Sequence, residues 1–313
     1  MCYYLLTILR SQQEPKVMTQ MCGDKKMLRA YQNGRDLYAE IASLAFNKPY
    51  EDCLEKHADG TFYKEGDERR TQAKSILLGI LYGRGLASVA EQLHTTKQKA
   101  QQIQDKIFKG FPAIPKFEKD SLKMAHDLGY VTTLWGRKRR LPDLQLEEYE
   151  FVRNTNSSND ENILDFDEEV EEKPIPEKTI KKYLTKLHGA WGSEKREIFE
   201  EANREGIWVI DNGAKIAEAK RQCVNSRIQG SAADMTKLAM ILVHNDEKLR
   251  KWGFRLLIPV HDELIGECPE ENAKKCKKRF SMLMSQAAEE KLDMPITCDV
   301  DVFRAWKGEK VKI

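Results

Sequence analysis

The sequence predicts an α+β protein. Long stretches of helical periodicity are grouped together, and the few strand-like segments do not alternate with them as they would in a parallel α/β sheet. The strand signals also fall at the ends of the chain and in short hairpin patterns. At 313 residues, the chain has room for a sizeable core and for two or three subdomains.

Taken in order, residues 17–46 carry helical spacing with few breakers. Pro49, Gly60 and Gly66 mark 47–66 as a loop with a short insertion. Residues 67–110 read as helices, with Thr95 or Thr96 as a cap for the last. Phe111 to Leu128 reads as a further helix entered through Pro112 and Pro115. The stretch GYVTTLWGRKRRLPDL (129–144) reads as a strand pair turning at Gly136. Residues 145–180 are acidic, with Asn and Ser clusters and two prolines, and read as a flexible insertion. Residues 181–205 are helical in pattern, as is Ala214 to Leu249 with an interruption near Gly230. A strand pair at 255–267, an amphipathic helix at 270–292 and a closing strand PITCDVDVFRAW complete the pattern.

A hydrophobic content of 41% with 33% charged residues describes a charge-rich globular chain. No apolar run reaches membrane-spanning length, so no membrane partner is expected. MCYYLLTILR is apolar but lacks the basic lead and small-residue cleavage site of a signal peptide. Seven scattered Cys without a CxxC pair suit a reducing compartment, and the expected localisation is cytoplasmic. The net charge of +2 conceals an imbalance. Residues 147–172 hold 11 acids and one base, Arg153, so the remainder is strongly basic. A basic body suits a polyanion partner, although a solvated charge run is the commoner cause of such a pattern.

Three segments carry the chemistry. In RRTQAKSILLGILYG, Arg70, Lys74, Leu78 and Tyr82 recur every four residues. Four residues turn a helix by about 400°, so all four share one broad face. Arg and Lys suit phosphate oxygens, and the apolar and aromatic positions suit a base. In RQCVNSRIQGSAADMTKLAM, Arg221, Asn225 and Gln229 form a polar stripe able to reach base or sugar edges. In LLIPVHDELIGECPEE, His261, Asp262 and Glu263 interrupt an apolar run, where a hairpin turn would let both carboxylates approach a divalent ion. Each pattern has an ordinary alternative as a helix edge, surface decoration or polar turn. Their order and spacing together are far more specific.

The chain resembles the polymerase half of family A DNA polymerases, the bacterial polymerase I class, and most nearly phage members. RRTQAKSILLGILYG is similar to motif B of the family's fingers helix. GYVTTLWGRKRRLPDL matches its GYVxTLxGRxRxLPD segment, RIQGSAADMTKLAM its QGxAADxxKxAM segment, and VHDEL is motif C. The likeness covers residues 11–144 and 221–306. It implies a right-hand palm (antiparallel sheet) with helical fingers, the thumb and exonuclease domain being absent from this chain. Residues 1–16 and 231–313 would form the palm, and 17–230 the fingers, with an acidic insertion at about 145–213 placed on their outer surface.

By that resemblance, Arg70 and Lys74 bind the triphosphate, Leu78 and Tyr82 lie by the nascent base pair, and Lys74 protonates or stabilises the leaving pyrophosphate. Many relatives have Phe or Tyr at the Leu78 position. Arg221, Asn225 and Gln229 contact primer–template DNA, and His261 the primer terminus. SQQEPK (11–16) resembles the tail of motif A, which places Gln13 by the nucleotide and makes Glu14 the steric gate against a 2′-hydroxyl. Asp262 and Glu263 ligate catalytic Mg2+ in a two-metal site. The implied reaction is template-directed addition of deoxynucleotides to a primer 3′-hydroxyl. The acidic tip at 261–263 and the cationic helix side at 70–82 are expected on opposite walls of one cleft.

The departure from the family pattern is at motif A. DYSQ requires its metal-binding Asp at the position of Leu9, and Leu offers no oxygen. Codons able to encode Met1–Arg10, read in a shifted frame, give VLLSSDYSQ, so an out-of-frame start at 1–10 is expected. This chain is then impaired, with a companion polypeptide supplying the thumb and exonuclease. The alternative is a non-catalytic remnant that binds primer–template or nucleotide. A single-subunit RNA polymerase shares a related palm, but Glu14 argues against it.

Overall fold

The computed structural model describes residues 3–10, 12–153, 174–260, 263–306 and 308–313, the side chains of Leu9 and Arg10 excepted. The chain divides into two compact units, one formed by Met1–Leu141 with Lys220–Ile313 and the other by Pro142–Ala219.

The first unit is built on a four-stranded antiparallel sheet. Its strands are β1 (Tyr3–Arg10), β6 (Arg255–Val260), β7 (Glu263–Pro269) and β8 (Cys298–Phe303), in the order β6-β7-β1-β8. Alternation sets its faces. Tyr4, Leu6 and Ile8 of β1 are buried, as are Cys298, Val300 and Val302 of β8. Helix α12 (Ala273–Glu289) supplies Phe280, Leu283 and Met284 to the same apolar cluster. In register across β7, β1 and β8, Glu263, Leu9 and Asp299 are paired in one row and Ile265, Thr7 and Asp301 in another.

Helices α1 (Gln13–Cys22), α2 (Lys25–Gln32) and α3 (Leu37–Phe46) replace the continuous pattern expected over 17–46. The breaks have a local cause. Asp24 caps α2 and Asp36 caps α3, each accepting two backbone N–H groups. Then follow α4 (Lys64–Leu81), α5 (Leu86–Gln92), α6 (Lys97–Gly110) and α7 (Ala113–Leu128). Of the two candidate caps for α6 it is Thr96 that acts, accepting from Lys99 N at 3.3 Å. Strands β2 (Tyr130–Thr132) and β3 (Lys138–Arg140) pair antiparallel around Gly136, whose φ of 79° suits a residue without a side chain.

Helix α10 runs unbroken from Gly213 to Asn245, contrary to the interruption expected at Gly230. A Cβ there would lie 2.8 Å from Thr133 Cγ2 and 3.2 Å from Arg137 Nη2. The glycine thus serves close packing of the β2–β3 hairpin and leaves the helical hydrogen bonds intact, at a cost of about 1 kcal/mol relative to Ala. Arg137 fastens that hairpin through Nε to Asp234 Oδ1 at 2.7 Å and Nη2 to Gly230 O at 3.0 Å.

The second unit contains β4 (Tyr149–Arg153), α8 (Glu177–Leu187), α9 (Gly192–Arg204) and β5 (Ile207–Asp211). Strands β4 and β5 pair antiparallel over an apolar cluster of Tyr183, Leu187, Ile198, Ala202 and Ile207. The sequence pattern read 145–180 as flexible, yet both ends of that stretch are ordered. Tyr149 and Phe151 pack against this cluster, and long-range strand pairing outweighs the local acidity.

Candidate nucleotide and nucleic-acid site

Helix α4 buries Ala73, Ile76, Leu77, Ile80 and Leu81, which turns Arg70, Lys74, Leu78 and Tyr82 to its outer side. Arg70 is half-buried and paired with Asp36, its Nε and Nη2 each 2.9 Å from Oδ2. Asp36 also caps α3 through Oδ1, so one carboxylate holds both a helix start and the Arg70 fork. The Tyr38 ring lies 5.4 Å from the Arg70 guanidinium and 6.0 Å from the Lys74 ammonium. Burial and the adjacent Asp36 charge raise the Tyr38 phenol well above its ordinary value. Lys74 is exposed, and among the described residues no carboxylate pairs with it. Leu78 is half-buried against the main apolar cluster.

Tyr82 ends α4 and donates its hydroxyl to Glu14 Oε2. Its pKa is pushed up to about 12, first by burial and then by the Glu14 carboxylate, while the Gln229 side chain hydrogen-bonds to it and opposes the shift. Gln13, next to Glu14 in α1, is buried and donates Nε2 to Ala232 O at 2.6 Å. The start of α1 is thereby fixed against both α4 and α10.

Arg221, Asn225 and Gln229, four apart on α10, line one pocket of about 600 Å3 with Tyr82, Gly83, Arg84, Gly85 and Ser88. Gly83 makes this approach possible. Its φ is +61°, and a Cβ would lie 3.0 Å from Arg221 Cγ. Asn225 Oδ1 is buried and has no hydrogen-bond partner among the described residues. An acceptor left so is unfavourable by about 1–3 kcal/mol. Four site residues named from the sequence therefore share one pocket: Tyr82, Arg221, Asn225 and Gln229. Sequence reasoning passed over Arg84, Gly85 and Ser88, and also the Asp36–Tyr38 pair. Position Arg84, next to the Tyr82–Gly83 helix end, was the available signal. Lys138, Arg139 and Arg140 of β3 are likewise all exposed and form a basic edge.

His261 and Asp262 lie outside the described residues. Glu263 opens β7 and pairs with Leu9 of β1, which pairs on its other side with Asp299 of β8. Strands are spaced about 4.8 Å apart, so the Glu263 and Asp299 backbones stand about 10 Å apart with a hydrocarbon residue between them. Among the described residues, no group of three or more His, Cys, Asp or Glu is placed to hold a metal. Glu14, the hydrogen-bond partner of Tyr82, follows Leu9 by five residues, so their backbones are within about 18 Å.

The family model for DNA polymerase family A matches residues 3–161 and 179–308. The chain belongs to that family. Among curated relatives, DNA polymerase I of Chloroflexus aurantiacus is 28% identical over 95% of this chain and 23% of its own length. The thermostable DNA polymerase I of Thermus aquaticus is 26% identical over 98% of this chain and 27% of its own length. The chain thus spans about a quarter of these two bacterial polymerases. The polymerase domain of Pol1 from M. smegmatis, solved with DNA primer–template and dNTP, superposes with a TM-score of 0.67. It is 24% identical, over 97% of this chain and 40% of that one. That likeness is one of fold, and it agrees with the α+β architecture. Among the described residues, no helix is long and apolar enough to cross a membrane.

Proposed function

We propose that this chain is the fingers and palm of a phage-type, DNA-directed DNA polymerase, binding primer–template DNA and deoxynucleoside triphosphate, with a companion polypeptide carrying the thumb and exonuclease. The observation that carries the reading is the convergence of Tyr82, Arg221, Asn225 and Gln229 on one pocket, with Tyr82 tied to Glu14. Lys74, exposed and without a carboxylate partner, is suited to the β- and γ-phosphates and to proton donation as pyrophosphate leaves. Arg70 is held by Asp36 through Nε and Nη2, so Nη1 is the group that would meet phosphate. Glu14, fixed by Tyr82, stands beside the sugar and excludes a 2′-hydroxyl by bulk and charge. By the family resemblance, His261 would meet the primer terminus and Asp262 a metal ion, with Glu263 assisting. Bound Mg2+ would supply charge neutralisation and a more acidic primer hydroxyl.

Leu9 beside Glu263 favours a second reading, in which the chain binds primer–template and nucleotide without extending the primer. One assay separates the two. Primer–template affinity is measured by fluorescence anisotropy, and extension by single-turnover kinetics with magnesium and the complementary dNTP. Salt-sensitive binding with slow extension is expected. Absence of primer–template binding overturns both readings, whereas binding with no extension selects the second.

A further inference from the structure

A cavity of about 430 Å3 opens between α2, α3 and the turn that joins α6 to α7. It shares no lining residue with the Tyr82 pocket. Its rim is cationic, with Lys26 and Arg29 from α2 and Arg35 from the loop before α3. Among the described residues that line it, Glu40 is the one carboxylate, and Arg35 Nε already engages that acid. The Arg35 guanidinium also lies 3.9 Å from the centre of the Tyr50 ring, which holds its plane. Lys26 Nζ donates to a neutral group, Gly110 O, at 3.2 Å. Arg29 is exposed, and among the described residues no carboxylate pairs with it. Three cations thus face one cavity whose single acid is committed.

The floor is apolar. Ala30 and Phe111 lie at its base, and Leu44 forms a wall that is 40% exposed. A Cβ at Gly110 would lie 2.6 Å from Leu44 Cδ1, so the glycine lets this leucine lie against the end of α6.

The cavity therefore asks for negative charge and an apolar group together. An inorganic anion supplies only the charge. A nucleotide adds a base, but the Phe111 ring is 3% exposed and offers no face for stacking. Ser43 Oγ is unavailable to a base edge as a donor, because it donates to Lys48 O at 2.6 Å. Duplex DNA keeps its bases stacked and has no apolar knob for the floor. An acidic peptide with an aliphatic or aromatic side chain meets both demands, through carboxylates at the rim and the side chain against Leu44.

We propose that this cavity docks an acidic segment of a partner protein, with carboxylates held by Lys26, Arg29 and Arg35 and one apolar side chain seated against Leu44. The site does not rest on the primer–template reading, since the two pockets use different side chains.

The experiment titrates the full chain into a fluorescein-labelled peptide of Asp-Glu repeats ending in Leu-Phe, with anisotropy read over a salt series. Wild type is expected to bind, more weakly as salt rises. Arg29→Ala and Leu44→Ser should each weaken binding by roughly fivefold. Lys248→Ala, a surface control, should change nothing. The same repeats ending in Ser-Ser should bind wild type more weakly, and no better than they bind Leu44→Ser. Primer–template affinity should be the same in wild type, Arg29→Ala and Leu44→Ser. The proposal is overturned if wild type does not bind the Leu-Phe peptide, if either variant binds it as wild type does, or if the two peptides bind wild type equally. It is also overturned if a single-stranded oligonucleotide binds more tightly than the peptide and loses affinity in both variants, which would make the cavity a nucleic-acid site. Peptide binding without primer–template binding would count against the polymerase reading and uphold this site, so the two failures are distinguishable.

Discussion

At the α4–α10 side of the larger unit, Tyr82, Arg221, Asn225 and Gln229 surround a pocket in which polar groups are positioned and one acceptor waits unpaired. Across the sheet, the row Glu263–Leu9–Asp299 separates two acids by a residue with no oxygen. The first region gathers the polar groups on which the proposed binding rests, while the second has at its β1 position a leucine, which offers no oxygen. On the proposed function, binding and chemistry rest on separate elements of the same unit, so a change to one strand position would impair chemistry while leaving the binding pocket assembled.

The strongest way to sharpen this contrast is Leu9→Asp. A carboxylate beside Glu263 should tighten manganese binding, read by electron paramagnetic resonance, and raise single-turnover extension by about a hundredfold or more. No change in either readout would show that the sheet row is not where the chain is deficient. Gly83→Ala attacks the other region. Its positive φ and the 3.0 Å approach to Arg221 Cγ should cost about 1–2 kcal/mol, seen as a lower melting temperature together with weaker primer–template binding. An unchanged melting temperature would contradict the close packing described here.

The smallest effect concerns the link between the regions. The folded Tyr82 phenol has a raised pKa, so its contribution to stability is whole below the unfolded value near 10 and is lost as pH rises through about 12. Ultraviolet titration of wild type against Tyr82→Phe should reveal one tyrosine ionising near that upper value. Glu14→Gln removes the adjacent negative charge and should move this ionisation to lower pH. If Glu14→Gln leaves the titration curve in place, the Tyr82–Glu14 contact does not hold in solution.

Much of the fold was legible because its signals are local. The four-residue spacing from Arg70 to Tyr82 identified the outer side of α4, and Gly136 marked the β2–β3 turn. The apolar residues on both sides of 261–263 marked a strand pair, and the closing strand was read from its own pattern, its faces following from a period of two. The separation of 17–46 into three helices was also encoded locally, in Asp24 and Asp36, although continuous helical spacing masked it. The ordered ends of the acidic segment were not legible, because Tyr149 and Phe151 gain their structure from partners about sixty residues away in sequence.

By itself, the sequence determined the residue types on each helix face, the strand and turn periods, the family and the absence of an oxygen at position 9. Tertiary structure alone decided that Leu9 stands between Glu263 and Asp299, that Asp36 holds Arg70, that Tyr82 donates to Glu14, and that Gly230 packs against Thr133 without breaking α10. The reason is distance along the chain. Periodicity is a property of neighbours and is written in any short window, whereas register and side-chain pairing between remote segments depend on how their buried faces pack together.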